Sequence, residues 1–264
     1  MAVSVMHSAS MEEMVAAAGP DAVLWAQLFI RKDRSITLEE ALRAERCGFA
    51  ALVVTLDAPL VGRKTAPGVI DPVKEAFGGT LLRLLGDTPG HEWDPCQSWA
   101  DIDWLRSKVD LPLVIKGILR AEDAVEAVDH GASAIIVSNH GGRYMDGVPA
   151  TLDMLPEVVR AVNGRCEVYM DGGVRCGGDV VKALCLGARA VFIGRPIFYG
   201  LGYKGEQGVT EVLGCIRREL DSCLALIGCS DVGKLHPGFL RRNAVPLPEF
   251  PGFTPAEFAR SLNM

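Results

Sequence analysis

Six consecutive residues, Ser138-Asn139-His140-Gly141-Gly142-Arg143, put a proton acceptor and a guanidinium three positions apart on a glycine-loosened segment. The pair suits an α-hydroxy carboxylate: the arginine grips the carboxylate with two parallel hydrogen bonds while a neutral imidazole faces the adjacent carbon. Taken alone, a histidine that serves only structure is at least as common. Lys116 ends the apolar run Pro112-Leu113-Val114-Ile115 and is followed by Gly117. An ammonium buried there is costly unless an anion or polar ligand meets it, and a lysine snorkelling at the rim is the bland alternative. Asp171-Gly172-Gly173-Val174-Arg175 and Gly194-Arg195-Pro196 add two segments whose glycines let backbone N–H groups approach an anion, the pattern of a phosphate cradle.

These groups all follow short aliphatic or β-branched runs. The runs are Ala2 to Val5, Val23 to Phe29, Ala50 to Thr55, Leu113 to Lys116, Ala134 to Ser138, Glu167 to Met170 and Ala190 to Ile193. Helical patterns separate them. One opens at the capping box Ser10-x-x-Glu13 and stops at Gly19-Pro20; a second opens at Thr37-x-x-Glu40 and closes at Gly48; a third is capped by Ser98. Others span Ala121 to His130, Thr151 to Val162 and Gly178 to Leu186. This alternation predicts parallel βα units, seven strands in all, with reactive groups at the strands' C-terminal ends. A closed (β/α)8 barrel needs one strand more, and the first run begins at the second residue. The expectation is therefore a TIM barrel whose first strand and N-terminal helical segment are missing, so that the last two runs are strands seven and eight, the usual place of a barrel phosphate site. An open doubly wound sheet is the alternative, but no G-x-G-x-x-G follows any run. The stretch Pro59 to Gln97 is too long for a plain connection and reads as a lid over the site or a partly disordered segment.

Composition bounds the rest. With 264 residues, 49% of them apolar and 6% aromatic, one aliphatic core and one domain, residues 1–264, are expected. A net charge of -6 and no basic stripe argue against nucleic acid as a partner. No apolar run reaches eighteen residues and the start lacks a secretory pattern, so a membrane span is not expected and an intracellular place is. The chain ends Leu262-Asn263-Met264, without the Ser-Lys-Leu type peroxisomal tripeptide. The eight cysteines form no C-x-x-C and no zinc-finger spacing with histidines, and read as reduced, mostly buried small side chains; no metal site is expected.

Together the segments Trp25 to Arg34, Thr55 to Arg63, Leu111 to Gly117, Ser138 to Pro149 and Asp171 to Gly194 resemble the FMN-dependent α-hydroxy acid oxidase and dehydrogenase family, the group of glycolate oxidase, lactate oxidase, mandelate dehydrogenase and flavocytochrome b2. The resemblance runs from Ser4 to about Leu235. It implies FMN as cofactor, with Ser4, Gln27, Thr55, Lys116 and Ser138 around the flavin ring, and Asp171, Gly172, Gly173, Arg175, Gly194 and Arg195 at the phosphate end. It also implies His140 as the base, Asp57 as the carboxylate that orients and stabilises it, and Arg143 as the grip on the substrate carboxylate. The activity so implied is oxidation of a small (S)-2-hydroxy acid to the 2-oxo acid, with an acceptor such as oxygen and a homo-oligomeric, often tetrameric, assembly in the cytoplasm or peroxisome.

The sequence departs from the family pattern in three places. The N-terminal helical segment, which carries an active-site tyrosine, and the first strand are absent. Phe29 stands where the family has tyrosine, removing one hydrogen bond to the reacting substrate, which contributes on the order of 1.5 to 3 kcal/mol. Lys64, beside Arg63, stands where the family has a second carboxylate-binding arginine and offers a point charge in place of a planar fork. A truncated or degenerate family member without catalysis is the competing expectation, and another FMN or phosphate-binding barrel enzyme comes third.

Overall fold

The computed structural model describes residues 1–7, 9–59 and 93–241. Six strands form one parallel sheet in chain order: β1 (Ala2–Ser4), β2 (Trp25–Leu28), β3 (Ala51–Thr55), β4 (Leu113–Ile118), β5 (Ala134–Val137) and β6 (Glu167–Met170). Helices α1 (Met11–Ala18), α2 (Arg34–Arg46), α3 (Trp99–Arg106), α4 (Ala121–Asp129), α5 (Thr151–Val162) and α6 (Gly177–Cys185) connect or follow them, and α7 (Arg195–Leu226), broken at Lys204 and Gly205, is followed by short helical turns at Val232–Lys234 and Pro237–Phe239. The seventh run reduces to a bridge between Met170 and Val191, extended by Arg189 and Phe192 N–H groups donating to Val168 and Met170 carbonyls at 2.7 and 2.8 Å. It lies where a seventh strand should, parallel to β6.

Strand β3, Ala-Leu-Val-Val-Thr, is buried at every position, as a parallel strand covered on both faces must be. The period-two alternation sorts its residues between two cores. Leu52 and Val54 join the large cluster with the helices, whereas Ala51 and Val53 join Val114, Ala134, Ile136 and Tyr169 in a second, smaller one. Within that second layer Trp25 of β2 meets Tyr169 of β6 at 5.3 Å between ring centroids, and Phe192 meets both rings at 5.5 and 5.9 Å. In a flat sheet, strands four places apart would be separated by about 19 Å. The sheet is therefore curled into a barrel wall, and the second cluster is the barrel interior.

Two local expectations are corrected. Helix α2 begins at Arg34, three residues before the supposed Thr37 box, because the Asp33 carboxylate accepts the Ser35 N–H at 2.9 Å and caps it. Thr37 instead takes the Arg31 N–H at 2.9 Å, and Glu40 pairs with the buried Arg31 guanidinium at 3.2 Å, so both residues of the supposed box anchor the preceding loop. All eight cysteines are unpaired, but only Cys185 and Cys229 are buried, since the others sit at helix ends, in turns or on the partly exposed surface of the last helix. The boxes at Ser10 and Ser98 cap α1 and α3 as expected. Of the long Pro59 to Gln97 stretch, 60–92 lie outside the described residues; Trp93 returns beside β2 through a bridge to Arg31, with the Asp94 N–H on the Ile30 carbonyl at 2.9 Å. No helix among the described residues is long and apolar enough to cross a membrane.

Candidate active site at the barrel mouth

The same alternation that fills the interior decides what stands above it. Continuing the inward-facing rows past the apolar layer leads from Trp25 to Gln27, from Val53 to Thr55, from Val114 to Lys116, from Ile136 to Ser138 and from Tyr169 to Asp171. Ser4 joins them by pairing with Gln27. Six residues expected at the flavin thus ring one mouth. Gln27 and Thr55 are tied together by a 3.0 Å bond from the glutamine amide to the threonine hydroxyl.

Over this ring sits a charged cluster. Lys116 Nζ lies 3.0 Å from Asp57 Oδ2 and 3.8 Å from Asp171 Oδ2, and His140 Nδ1 lies 2.7 Å from Asp57 Oδ1. All four side chains are at most one-fifth exposed. Burial works to raise the Asp57 carboxyl, but the His140 hydrogen bond and the Lys116 charge outweigh it and hold the group below the ordinary aspartate value. For Asp171 burial wins over the more distant Lys116 charge, and its carboxyl is pushed up. With Nδ1 committed to Asp57, His140 keeps Nε2 as a free proton acceptor.

His140 holds this position at a backbone cost. Its φ of 53° is left-handed, uncommon for a residue with a Cβ, and its N–H donates to Ser138 Oγ at 3.0 Å to hold the turn. Its ring meets the Tyr144 ring edge-on at 4.6 Å. Asp57 depends on Gly117: at φ 111°, a Cβ on Gly117 would come within 2.6 Å of the Asp57 Cβ and 2.7 Å of its backbone nitrogen. The β4 register slips at this point, between Lys116 and Ile118. Gly117 is thus a site residue that the sequence reading passed over, although its place directly after Lys116 was the available signal. Tyr144 and Trp93 were passed over too, with no spacing to mark them.

At the other side of the mouth, Gly172 and Gly173 both have positive φ, and the Thr151 hydroxyl ties back the Asp171 and Gly172 carbonyls at 2.7 and 3.2 Å. Open space faces Gly173 and Gly194 where side chains would otherwise stand. Gly194 caps α7, Arg195 begins it, and the Arg195 guanidinium donates to the Gly141 carbonyl at 2.9 Å, bridging the two loops. Arg175 is exposed, with its backbone N–H on Asp179 at 3.1 Å. The Arg175 and Arg195 guanidiniums, the open glycines and the N-terminus of α7 are donors of the kind a phosphate monoester takes. The buried, unpaired acceptors Asn139 Oδ1 and Asp171 Oδ1 fit the hydroxyls of a polyol such as a ribityl chain. The residues present therefore suit FMN.

Of the expected substrate contacts outside the cluster, Phe29 and Arg143 are among the described residues. Phe29 is buried and stacked on Trp93, 4.3 Å between centroids, rather than free in the mouth. Arg143 is exposed and makes no ion pair among the described residues; the turn at Gly141 and Gly142, both at positive φ, lies between it and His140. Lys64 lies outside the described residues. No group of His, Cys, Asp and Glu among the described residues could hold a metal ion.

Comparison with known proteins agrees with this geometry. The family described as FMN-dependent dehydrogenase matches residues 1–242. The chain is 46% identical to mouse 2-hydroxyacid oxidase 1 over 265 aligned residues, 92% of this chain and 70% of that protein, and 42% identical to an L-lactate oxidase of Nostoc sp., covering 91% and 70%. Among solved structures it resembles a mandelate oxidase variant with (S)-mandelic acid, at a TM-score of 0.76 and 40% identity, covering 88% of this chain and 66% of that one. It also resembles a flavocytochrome b2 variant, at a TM-score of 0.80 and 33% identity, covering 98% and 64%. The chain thus spans about two thirds to 70% of the length of these relatives. A charged cluster above a barrel interior, a phosphate-type cradle beside it and this breadth of similarity lead to one conclusion: the chain belongs to the FMN-dependent dehydrogenase family.

Proposed function

We propose that this chain, as one domain, binds FMN at the barrel mouth and oxidises a small (S)-2-hydroxy acid to the 2-oxo acid. The observation that carries the reading is the His140–Asp57–Lys116 cluster standing at the end of the inward-facing rows. Relatives named as oxidases of 2-hydroxy acids, lactate and mandelate support it. Bound FMN supplies the two-electron acceptance that no side chain here can provide. Asp171, Gly172, Gly173, Arg175, Gly194 and Arg195 would hold its phosphate end, and Ser4, Gln27, Thr55, Lys116 and Ser138 its ring. His140 Nε2 accepts the proton that the substrate gives up, and Asp57, already bonded to Nδ1, stabilises the resulting imidazolium. Lys116 adds positive charge where negative charge accumulates on reduction. Arg143 reaches the substrate carboxylate from the rim, with Lys64 and Phe29 completing the substrate side.

Purified protein should be yellow and should bleach anaerobically with glycolate, lactate or mandelate; a flavin-loaded sample that no hydroxy acid reduces overturns the reading. The exposed Arg143 favours a second reading, a family member without turnover, and the same assay separates the two. Oxygen as final acceptor is tested by peroxide release, and a homo-oligomer by sedimentation. An intracellular place, in cytoplasm or peroxisome, is supported by two Arabidopsis relatives named peroxisomal (S)-2-hydroxyacid oxidases, and cell fractionation tests it.

A further inference from the structure

Trp93 carries a polar atom without a partner among the described residues. The residue is 9% exposed, its indole Nε1 is buried, and no acceptor among the described residues meets it. An indole N–H is a donor and nothing else, and a buried donor left unpaired costs free energy comparable to a lost hydrogen bond. Native folds rarely tolerate that without a reason, such as a ligand to be met.

The position supplies the reason. Trp93 is held beside the C-terminal end of β2 by its bridge to Arg31, and its ring lies on Phe29, 4.3 Å between centroids and 21° from parallel. The small cluster it forms with Phe29 and Ala58, the neighbour of Asp57, also takes in Tyr144, whose ring meets His140 at 4.6 Å. The ring that carries the unpaired donor therefore belongs to the wall of the mouth, in one cluster with the tyrosine that meets the base. Phe29 is itself a ring without a hydrogen-bonding group in that wall. An aromatic N–H stacked on it restores a donor to the same side of the site.

We infer that Trp93 is a substrate-binding residue whose indole N–H donates to the carboxylate of the 2-hydroxy acid. The inference rests on the proposed function for the identity of the ligand, and on the orphaned donor for its existence. It explains how a site with phenylalanine at position 29, and with Arg143 at the rim, still holds a carboxylate near His140. A hydrogen bond to a charged acceptor corresponds to roughly a tenfold to hundredfold change in binding.

The test uses the flavin-loaded full chain with its tryptophans labelled by ¹⁵N, and Trp93→Phe, which keeps an aromatic ring against Phe29 and removes the donor. The indole resonance lost in the variant identifies Trp93. Titrating wild type with pyruvate, a 2-oxo acid that does not reduce flavin, should move that resonance downfield. In the variant, pyruvate affinity and the hydroxy acid KM should weaken by about tenfold or more, with flavin absorbance and melting temperature unchanged. The double variant with Phe29→Tyr should recover part of the affinity, because a hydroxyl then stands in the same wall. A Trp93 resonance that ignores pyruvate, or a variant that binds it as wild type does, overturns the inference. If the resonance responds while no hydroxy acid ever reduces the flavin, carboxylate binding by Trp93 stands and the catalytic reading falls.

Discussion

Replacing Asp57 by asparagine isolates what the carboxylate does for His140. The change keeps the shape and takes away one negative charge that is 2.7 Å from the imidazole and 3.0 Å from Lys116, at a side chain only 10% exposed. Two effects follow. The imidazolium formed during turnover loses a charge-assisted hydrogen bond worth about 1.5 to 3 kcal/mol. Coulomb attraction between unit charges about 4 Å apart, in an effective dielectric near 20, is about 4 kcal/mol, and it acts on the imidazolium formed in the transition state rather than on the uncharged base that accepts the proton. Lys116 is then left to Asp171 alone, at 3.8 Å. Anaerobic stopped-flow reduction of the flavin should therefore slow by roughly 10²- to 10³-fold, while KM changes little because no substrate contact is removed. A variant within threefold of wild type would refute the claim that Asp57 stabilises the protonated base, and a rise in KM alone would show that it acts on binding.

Three further outcomes follow from the same geometry. Gly117→Ala places a methyl group 2.6 Å from the Asp57 Cβ at a φ of 111°, so the melting temperature should fall by several degrees and flavin reduction should collapse along with it; scanning calorimetry and stopped-flow check the two together. Arg195→Gln removes a charge from the cradle and the tie to the Gly141 carbonyl, and should weaken FMN retention about tenfold, read by equilibrium dialysis, with the rate of the loaded fraction nearly preserved. The pH dependence has two opposed parts: Asp57 is held below its ordinary value of 3.8, so its contribution is complete above that pH and is lost as pH falls further; Asp171 is pushed up, so its ionised form opposes folding at neutral pH and stability is regained as pH falls through its raised value. Melting curves against pH should accordingly rise and then fall on acidification in wild type, Asp171→Asn should remove the rise, and Asp57→Asn should remove the fall.

What the sequence made legible is what periodicity and charge placement can encode. Apolar residues two apart place Val53 and Thr55, Val114 and Lys116, or Tyr169 and Asp171 on one face, so a polar group at the end of each row had to stand above the interior. That placement marks Lys116 and Asp171 in the sequence itself, whereas Ser4, Gln27, Thr55 and Ser138 were legible only through the family resemblance. The capping boxes at Ser10 and Ser98 were legible because each is local to one turn. The Thr37 box failed for the opposite reason: its threonine and glutamate are claimed by Arg31, whose burial is decided by tertiary packing. Conformation and contact at the site were hidden in the same way. Nothing in the string announces that His140 takes a φ of 53°, that Arg143 is exposed, or that Gly117 must lack a side chain because Asp57, sixty positions earlier, passes beside it.

The hidden features share one physical cause: each belongs to the encounter of two strand ends, not to either strand. Asp57 follows β3 and Gly117 lies in β4; their approach lets the carboxylate reach both Lys116 and His140 at once. Glycine at 117 is thus the condition for the electrostatics of the base rather than a loosened joint. The same holds for Trp93, whose ring reaches Phe29 only because its backbone returns to pair at Arg31. Chemistry at this mouth is assembled from side chains whose types are written locally and whose distances are set by the curl of the sheet, so a variant that preserves every named polar residue but straightens that curl should lose the function with them all in place.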